Sequence, residues 1–276
     1  GHSKFSNCVG SWLMGAGSGD TTSTIQDQTT GNKDLTVNNA KLIGYRDGTA
    51  SGSPVSIVIP EGSTSGRDSQ GFLLSDTTAI VNGARFDGSS SFIKICDSGP
   101  VTGKLQSLGE FLTVECWFKA KAITANDTGS YISSYTIAEL RTETSSSTKM
   151  PFNLGVNNSK TTFGATHDHT TSDERIDGNT TLSVDTWYHY AVTINGDAYV
   201  MYLNGSADKS GTLSTATGDR NVGTTDSNLF IGARSDNSGN PASYFNGLID
   251  EFKIYDTVLT ADEVSKNYKH GKGKHK

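Results

Sequence analysis

Few side chains in this sequence have the type and spacing to do chemistry. Glu139-Leu140-Arg141-Thr142-Glu143 puts two carboxylates on one face of an extended strand with a guanidinium between them, whereas Asp250-Glu251 points two carboxylates in opposite directions. A retaining glycosidase needs a carboxylate pair about 5 Å apart, and neither segment supplies one. His167-Asp168-His169 sets two imidazoles on one face, a spacing that suits zinc. The run around it is polar and offers no third ligand, so the pair reads as exposed loop histidines. No glycine-rich loop leads from a strand into a helix, so there is no phosphate cradle.

Alternation in residues 248–254 places Asp250 on the same face as Leu248, Phe252 and Ile254, the expected core positions. An inward carboxylate must meet a cation, a ring of backbone NH groups, or both, because an unpaired buried charge costs several kcal/mol. Trp12, Trp117 and Trp187 fall in strand patterns and read as framework. Tyr131, Tyr135 and Tyr244 lie near loops rich in Gly, Ser and Asn. They are the candidate ligand-binding residues, since aromatic faces beside planar polar groups such as Arg141 and Asn157 suit sugar rings. Cys8, Cys96 and Cys116 cannot all pair within the chain and have no metal-type spacing. Cys116, inside an apolar strand pattern, reads as a buried thiol.

The elements that must position these groups are strands. Residues 111–120 alternate, with Leu112, Val114, Cys116, Phe118 and Ala120 on one side. Tyr188, Tyr190, Val192 and Ile194 repeat the pattern. Asn195-Gly196-Asp197 then predicts a hairpin between residues 188–194 and 198–203, and Asn204-Gly205 a second turn. Further strands are expected at residues 9–14, 92–96, 131–137, 152–156, 161–165, 229–233 and 248–255. Thr260-Ala261-Asp262-Glu263 reads as a capping box opening a short helix over residues 261–268. The 31 glycines and five prolines fit an all-β chain with many turns.

The predicted fold is therefore one all-β unit spanning residues 1–276, a two-sheet antiparallel β-sandwich with a short C-terminal helix. A Gly- and Ser-rich insertion occupies about residues 40–83, and a basic tail, residues 269–276, reads as a solvated end. The net charge of −6 argues against a nucleic-acid or anionic-membrane partner. No apolar run approaches a membrane span, and no signal peptide is visible.

Four segments, in order, resemble one family. Ala84-Arg-Phe-Asp-Gly-Ser-Ser-Ser-Phe-Ile-Lys-Ile95 and Leu112-Thr-Val-Glu-Cys-Trp-Phe-Lys119 are similar to consecutive strands of laminin-G-like, concanavalin A-type jelly rolls. Trp187-Tyr-His-Tyr-Ala-Val-Thr193 with Tyr202-Leu-Asn-Gly205 resembles that family's hairpin. Gly247-Leu-Ile-Asp-Glu-Phe-Lys-Ile-Tyr-Asp256 with Leu259-Thr-Ala-Asp-Glu263 resembles its closing strand and helix. The start, Trp12-Leu-Met-Gly-Ala-Gly-Ser-Gly19 and Asp27 to Leu35, fits more loosely.

The resemblance implies a structural calcium held by Asp27, Asn32 and Asp250 with nearby carbonyls, although Lys33 stands where the family carries a second Asn. The alternative for Asp250 is a carboxylate capping backbone NH groups. By the same resemblance the expected function is a non-catalytic carbohydrate-binding or adhesion module, extracellular or surface-displayed, whose partner is a glycan or polysaccharide. A virion surface or other structural interaction protein, with homo-oligomer or virion assembly, is the second expectation. A glucanase or lyase is the third: Glu139-Leu140-Arg141 resembles an alginate-lyase strand, but the accompanying motifs are missing.

Overall fold

The structure, a computed structural model, describes residues 8–12, 24–25, 35–38, 41–43, 83–95, 105, 108–125, 134–142, 149–166, 174–214, 227–236 and 239–275. Asp27, Asn32, Tyr131, residues 167–169 and most of the expected insertion lie outside them.

In chain order the strands begin with β1 (Cys8–Trp12), β2 (Thr24–Ile25), β3 (Leu35–Asn38), β4 (Lys41–Ile43), β5 (Gly83–Asp87) and β6 (Phe92–Ile95). Next come β7 (Phe111–Ala120), β8 (Tyr135–Thr142), β9 (Met150–Asn157), β10 (Lys160–Thr166), β11 (Glu174–Asp177) and β12 (Trp187–Asn195). β13 (Ala198–Leu203), β14 (Ser206–Thr212), β15 (Ser227–Ile231), β16 (Arg234–Ser235), β17 (Pro241–Ala242) and β18 (Asn246–Tyr255) lead into the helix α1 (Ala261–Gly271).

Two antiparallel sheets result. The first runs β14-β13-β12-β7-β18-β5-β4, with β1 also on β18, and the second runs β11-β10-β9-β8-β15-β6-β3-β2. This is the two-sheet sandwich with a C-terminal helix that the alternation predicted.

The core lies between the sheets. Leu112, Val114, Cys116, Phe118 and Ala120 of β7, with Tyr188, Tyr190, Val192 and Ile194 of β12, form one wall. Ile137 and Leu140 of β8, Phe152, Leu154 and Val156 of β9, Phe163 of β10, and Leu229 and Ile231 of β15 form the other. Each such side chain removed from water contributes roughly 1.5–3 kcal/mol. The Tyr190 hydroxyl crosses the sandwich and donates to the Thr162 carbonyl at 2.9 Å, so the buried phenol is satisfied. Cys116 is a free buried thiol, as its strand pattern implied, and burial pushes its ionisation upward.

The Asn-Gly signals place the turns. β12 and β13 pair from Tyr190–Leu203 to Asn195–Ala198, with Gly196 at φ 60° between them. Asn204 and Gly205, at φ 52° and 76°, take the two left-handed positions that a tight hairpin requires and join β13 to β14.

Helix α1 opens with the expected capping box: the Thr260 side chain accepts from the Glu263 backbone NH, and the Glu263 carboxylate accepts from the Thr260 NH at 2.8 Å. The helix covers the outer face of the first sheet. Val264 joins Ala191, Tyr202, Tyr255 and Leu259, while Tyr268 packs on Trp117, Trp187 and Leu248. Trp117 and Trp187 are thus framework on the sheet's outer side.

Four expectations need correction. The helix continues to Gly271, past residue 268, and the chain beyond it is not a solvated end, because His275 is buried. The strand expected at 131–137 is Tyr135–Thr142. Asp250 does not share a face with Phe252 and Ile254. A bulge lies between Asp250 and Lys253, and Glu251 within it has φ 47°. The extra residue reverses the alternation: Leu248 packs outward beside the tryptophans while Ile249, Phe252 and Ile254 face the main core.

Candidate functional site

The bulge gathers ionisable groups beneath the helix. Asp250 Oδ1 accepts from the Glu251 backbone NH at 2.7 Å, and Asp250 Oδ2 lies 2.9 Å from His275 Nε2. The other imidazole nitrogen, Nδ1, donates to the Gly271 carbonyl at 2.9 Å. Burial pushes the Asp250 carboxyl up, and the hydrogen bond and charge of His275 oppose that shift. Asp250 is thus bonded to one backbone NH and to the His275 ring. The ring is stacked on Trp117, with centroids 4.3 Å apart and planes at 8°, and lies edge-on to Trp187 at 4.7 Å.

Glu251 is held between two lysines, Lys253 at 3.2 Å and Lys274 at 3.0 Å. Lys253 also approaches Glu115 at 3.7 Å. Glu115 accepts from the Tyr255 hydroxyl and the Asn267 amide, each at 3.1 Å, and faces His189 at 3.5 Å. Burial would raise the Glu115 carboxyl, but His189, Lys253 and Asn267 together hold it at about 2.

Asp250, Glu251 and His275 each bring one ligand atom to within 4.8 Å of one another. That set does not fit calcium, which takes six to eight oxygen ligands. Two carboxylates with an imidazole and two flanking ammonium groups instead neutralise one another.

The outer face of the second sheet carries a different arrangement. Register sets Lys94, Phe230, Glu139, Asn153, Gly164 and Arg175 in one row across β6, β15, β8, β9, β10 and β11. Glu139 is the pivot. It accepts from the Asn153 amide at 2.8 Å and from the Ser235 backbone NH at 2.9 Å, which ties the β16–β17 hairpin down onto the sheet. Burial pushes its carboxyl up, opposed by Arg141 and these donors. Phe230 packs against Phe92 and lies under the Lys94 ammonium.

Tyr244 lies at the rim of this sheet, beside the strand that carries Tyr135. The Thr136 NH donates to the Ser243 carbonyl at 2.8 Å, and Thr136 bridges to Tyr244. Tyr135 is half-buried and packs against the main core. Tyr244 is half-buried beside Arg234, whose Nε donates to the Ser243 hydroxyl at 2.9 Å. Asn240 is exposed on the same hairpin, with its NH held by the Asp236 carboxylate. Asn157, at the end of β9 next to Tyr135, accepts from the Ser134 hydroxyl.

Sequence reasoning named Asp250, Tyr135 and Tyr244 as candidates and weighed Glu139 only as half of a carboxylate pair, while His275, Glu115, Lys253, Asn153 and Arg234 went unnamed as candidates. The available signal for Glu139, Asn153 and Phe230 was that each sits between two core positions of its own strand. Each must therefore face outward.

Residues 87–265 match the family described as the concanavalin A-like lectin/glucanases superfamily, of laminin-G type. Over 93 residues the chain is 34% identical to the human adhesion G-protein coupled receptor D1, a stretch that is 32% of this chain and 10% of the receptor. Among solved structures, the binding domain of botulinum neurotoxin DC in complex with SialylT is similar with a TM-score of 0.57 at 12% identity, covering 96% of this chain and 51% of that one. The binding domain of Paraclostridial mosquitocidal protein 1 is similar with a TM-score of 0.59 at 15% identity, covering 95% and 52%. The chain thus spans about half the length of these structures, and at such identities they speak to fold alone. With its sheet order, closing helix and residues 87–265 all in agreement, the chain belongs to the laminin-G-type branch of the concanavalin A-like lectin/glucanase superfamily.

Proposed function

We propose that this chain is a non-catalytic carbohydrate-binding or adhesion module, extracellular or surface-displayed, that holds a glycan at the rim of its second sheet. The observation that carries this reading is the β16–β17 hairpin. It presents Tyr244, Arg234 and Asn240 at a partly exposed edge and is fixed to the sheet by the Ser235–Glu139 hydrogen bond. An aromatic face beside planar donors on a rigid support suits a sugar's CH face and hydroxyls. The lectin-like family and the human adhesion receptor relative support binding at a surface. No helix among the described residues is long and apolar enough to cross a membrane.

A glycan array followed by isothermal titration tests the reading. Binding is expected, with Tyr244→Ala and Arg234→Ala each weakening it about tenfold, the equivalent of about 1.4 kcal/mol. A clean negative across common polysaccharides overturns it, as does binding that both variants leave unchanged.

A calcium ion is part of the same proposal, with Asp27 and Asn32 supplying oxygens. Asp250 joins that shell only by exchanging its bond to His275. Calcium that raises Tm and EDTA that lowers it support the ion; no change in either direction, with no metal by elemental analysis, removes it.

A further inference from the structure

We propose that the slot bounded by Trp117, Trp187 and Asp250 is a binding site for a short basic peptide carrying a histidine, filled in cis by Lys274-His275 and able to take the same sequence from another chain when that segment lifts. This inference does not rest on the glycan reading, which concerns the opposite sheet.

The slot reads its occupant in several ways at once. The imidazole lies flat on Trp117 and edge-on to Trp187, which selects a planar ring. Its two nitrogens meet a backbone carbonyl and a buried carboxylate, both at 2.9 Å, which an apolar ring could not do. One residue earlier, the Lys274 ammonium meets Glu251 at 3.0 Å, so a cation is recognised beside the ring. Two indoles and two adjacent carboxylates thus define a Lys-His pair.

The cis occupant is lightly attached. Lys272, Gly273 and Lys274 are all exposed, and the Lys274 side chain is 51% exposed even in its ion pair. The Lys272 and Lys274 backbone NH groups bond back to Tyr268 and Gly271, within the helix end. Among the described residues, the segment touches the sheet through one ring and one ammonium. The slot is held without it: Asp250 is fixed by the Glu251 NH, and Trp117 is stacked on Tyr268 with centroids 5.6 Å apart and also faces His189.

The cis segment also leaves hydrogen-bonding capacity unused. Trp187 is buried, yet its Nε1 has no hydrogen-bond partner. A buried indole NH normally finds an acceptor, and a peptide carbonyl seated beside the ring would provide one.

The test is a chain ending at Gly273, in a Trp12→Phe background so that emission reports Trp117 and Trp187. Titration with the peptide Gly-Lys-Gly-Lys-His-Lys should give a saturable change in tryptophan fluorescence. The same peptide with Ala in place of His, and the Asp250→Asn version of the shortened chain, should each bind at least tenfold more weakly. The full chain should also bind at least tenfold more weakly, because its own His275 fills the slot. No saturable change in a folded shortened chain overturns the proposal, and so does equal binding of the Ala peptide. If the shortened chain does not fold, full-length His275→Ala is titrated with the same peptides, and the same two results overturn the proposal. A glycan titration of these samples separates the two readings, since Tyr244→Ala should leave peptide binding intact.

Discussion

His275 Nε2 lies 2.9 Å from Asp250 Oδ2, although the two residues are 25 positions apart and both are buried. The bond joins the bulge in β18 to the chain beyond α1, so each explains the order of the other. Hydrogen bonds involving charged groups contribute about 1.5–3 kcal/mol, and residues in direct contact couple by about 0.5–3 kcal/mol. In a double-mutant cycle of Asp250→Asn and His275→Ala, urea unfolding should show coupling above about 1 kcal/mol. Strictly additive losses would mean that the pair contributes nothing beyond its separate packing.

Glu115 gives the fold an acid-sensitive joint. Its carboxyl is held at about 2, below its value in the unfolded chain, so its contribution is present above the unfolded pKa and is lost as pH falls toward 2. The groups facing it are His189 from β12, Lys253 and Tyr255 from β18, and Asn267 from α1. Glu115→Gln leaves Lys253 with a weaker partner and should cost on the order of 3 kcal/mol at neutral pH. The gap between variant and parent should close as the pH approaches 2. Parallel stability curves from pH 7 to pH 2 would contradict this.

The period of two was enough to read the inner faces of β7 and β12, because those strands are regular and one side of each is wholly apolar. It failed at β18, where the bulge at Glu251 inserts one residue and moves Asp250 away from Phe252. No local pattern announces that residue, since Asp-Glu alternation looks the same with or without it. β14 was invisible because Ser206–Thr212 is polar on both faces and exposed, and it exists only by pairing with β13. The last residues read as a solvated tail because Gly and Lys carry no intrinsic order. What orders His275 is a slot built by Trp117 and Trp187 from two other strands. The Lys94–Arg175 row was likewise scattered over separate strands and becomes one row only once register is known.

Two glycines separate backbone strain from close contact. Gly196 and Gly205 both have left-handed φ, at 60° and 76°. A Cβ on Gly196 meets nothing within 4 Å, whereas one on Gly205 would lie 2.9 Å from the Tyr268 side chain. Gly196→Ala should therefore cost only the conformational penalty of roughly 1–2 kcal/mol. Gly205→Ala should cost more, because α1 must also shift off β13. Thermal melts that rank the two equally would show that the helix gives way freely.

Glu139 links stability to the proposed binding rim. Its carboxyl is raised in the folded state, so the stability tied to its proton is present at low pH and lost as pH rises from the unfolded value through the folded one. Glu139→Gln, which mimics the protonated form, should remove that dependence at a cost of less than about 1 kcal/mol, since an amide oxygen still accepts from Ser235. Glu139→Ala leaves the Asn153 amide and the Ser235 NH without their acceptor, and should cost about 1–3 kcal/mol. Because the Ser235 bond helps to hold the β16–β17 hairpin on the sheet, the alanine variant should also weaken glycan binding while the glutamine variant retains it. Equal binding by both variants would mean that the hairpin holds its shape without Glu139, and the rim would then owe its rigidity to the Arg234–Ser243 and Thr136–Ser243 bonds.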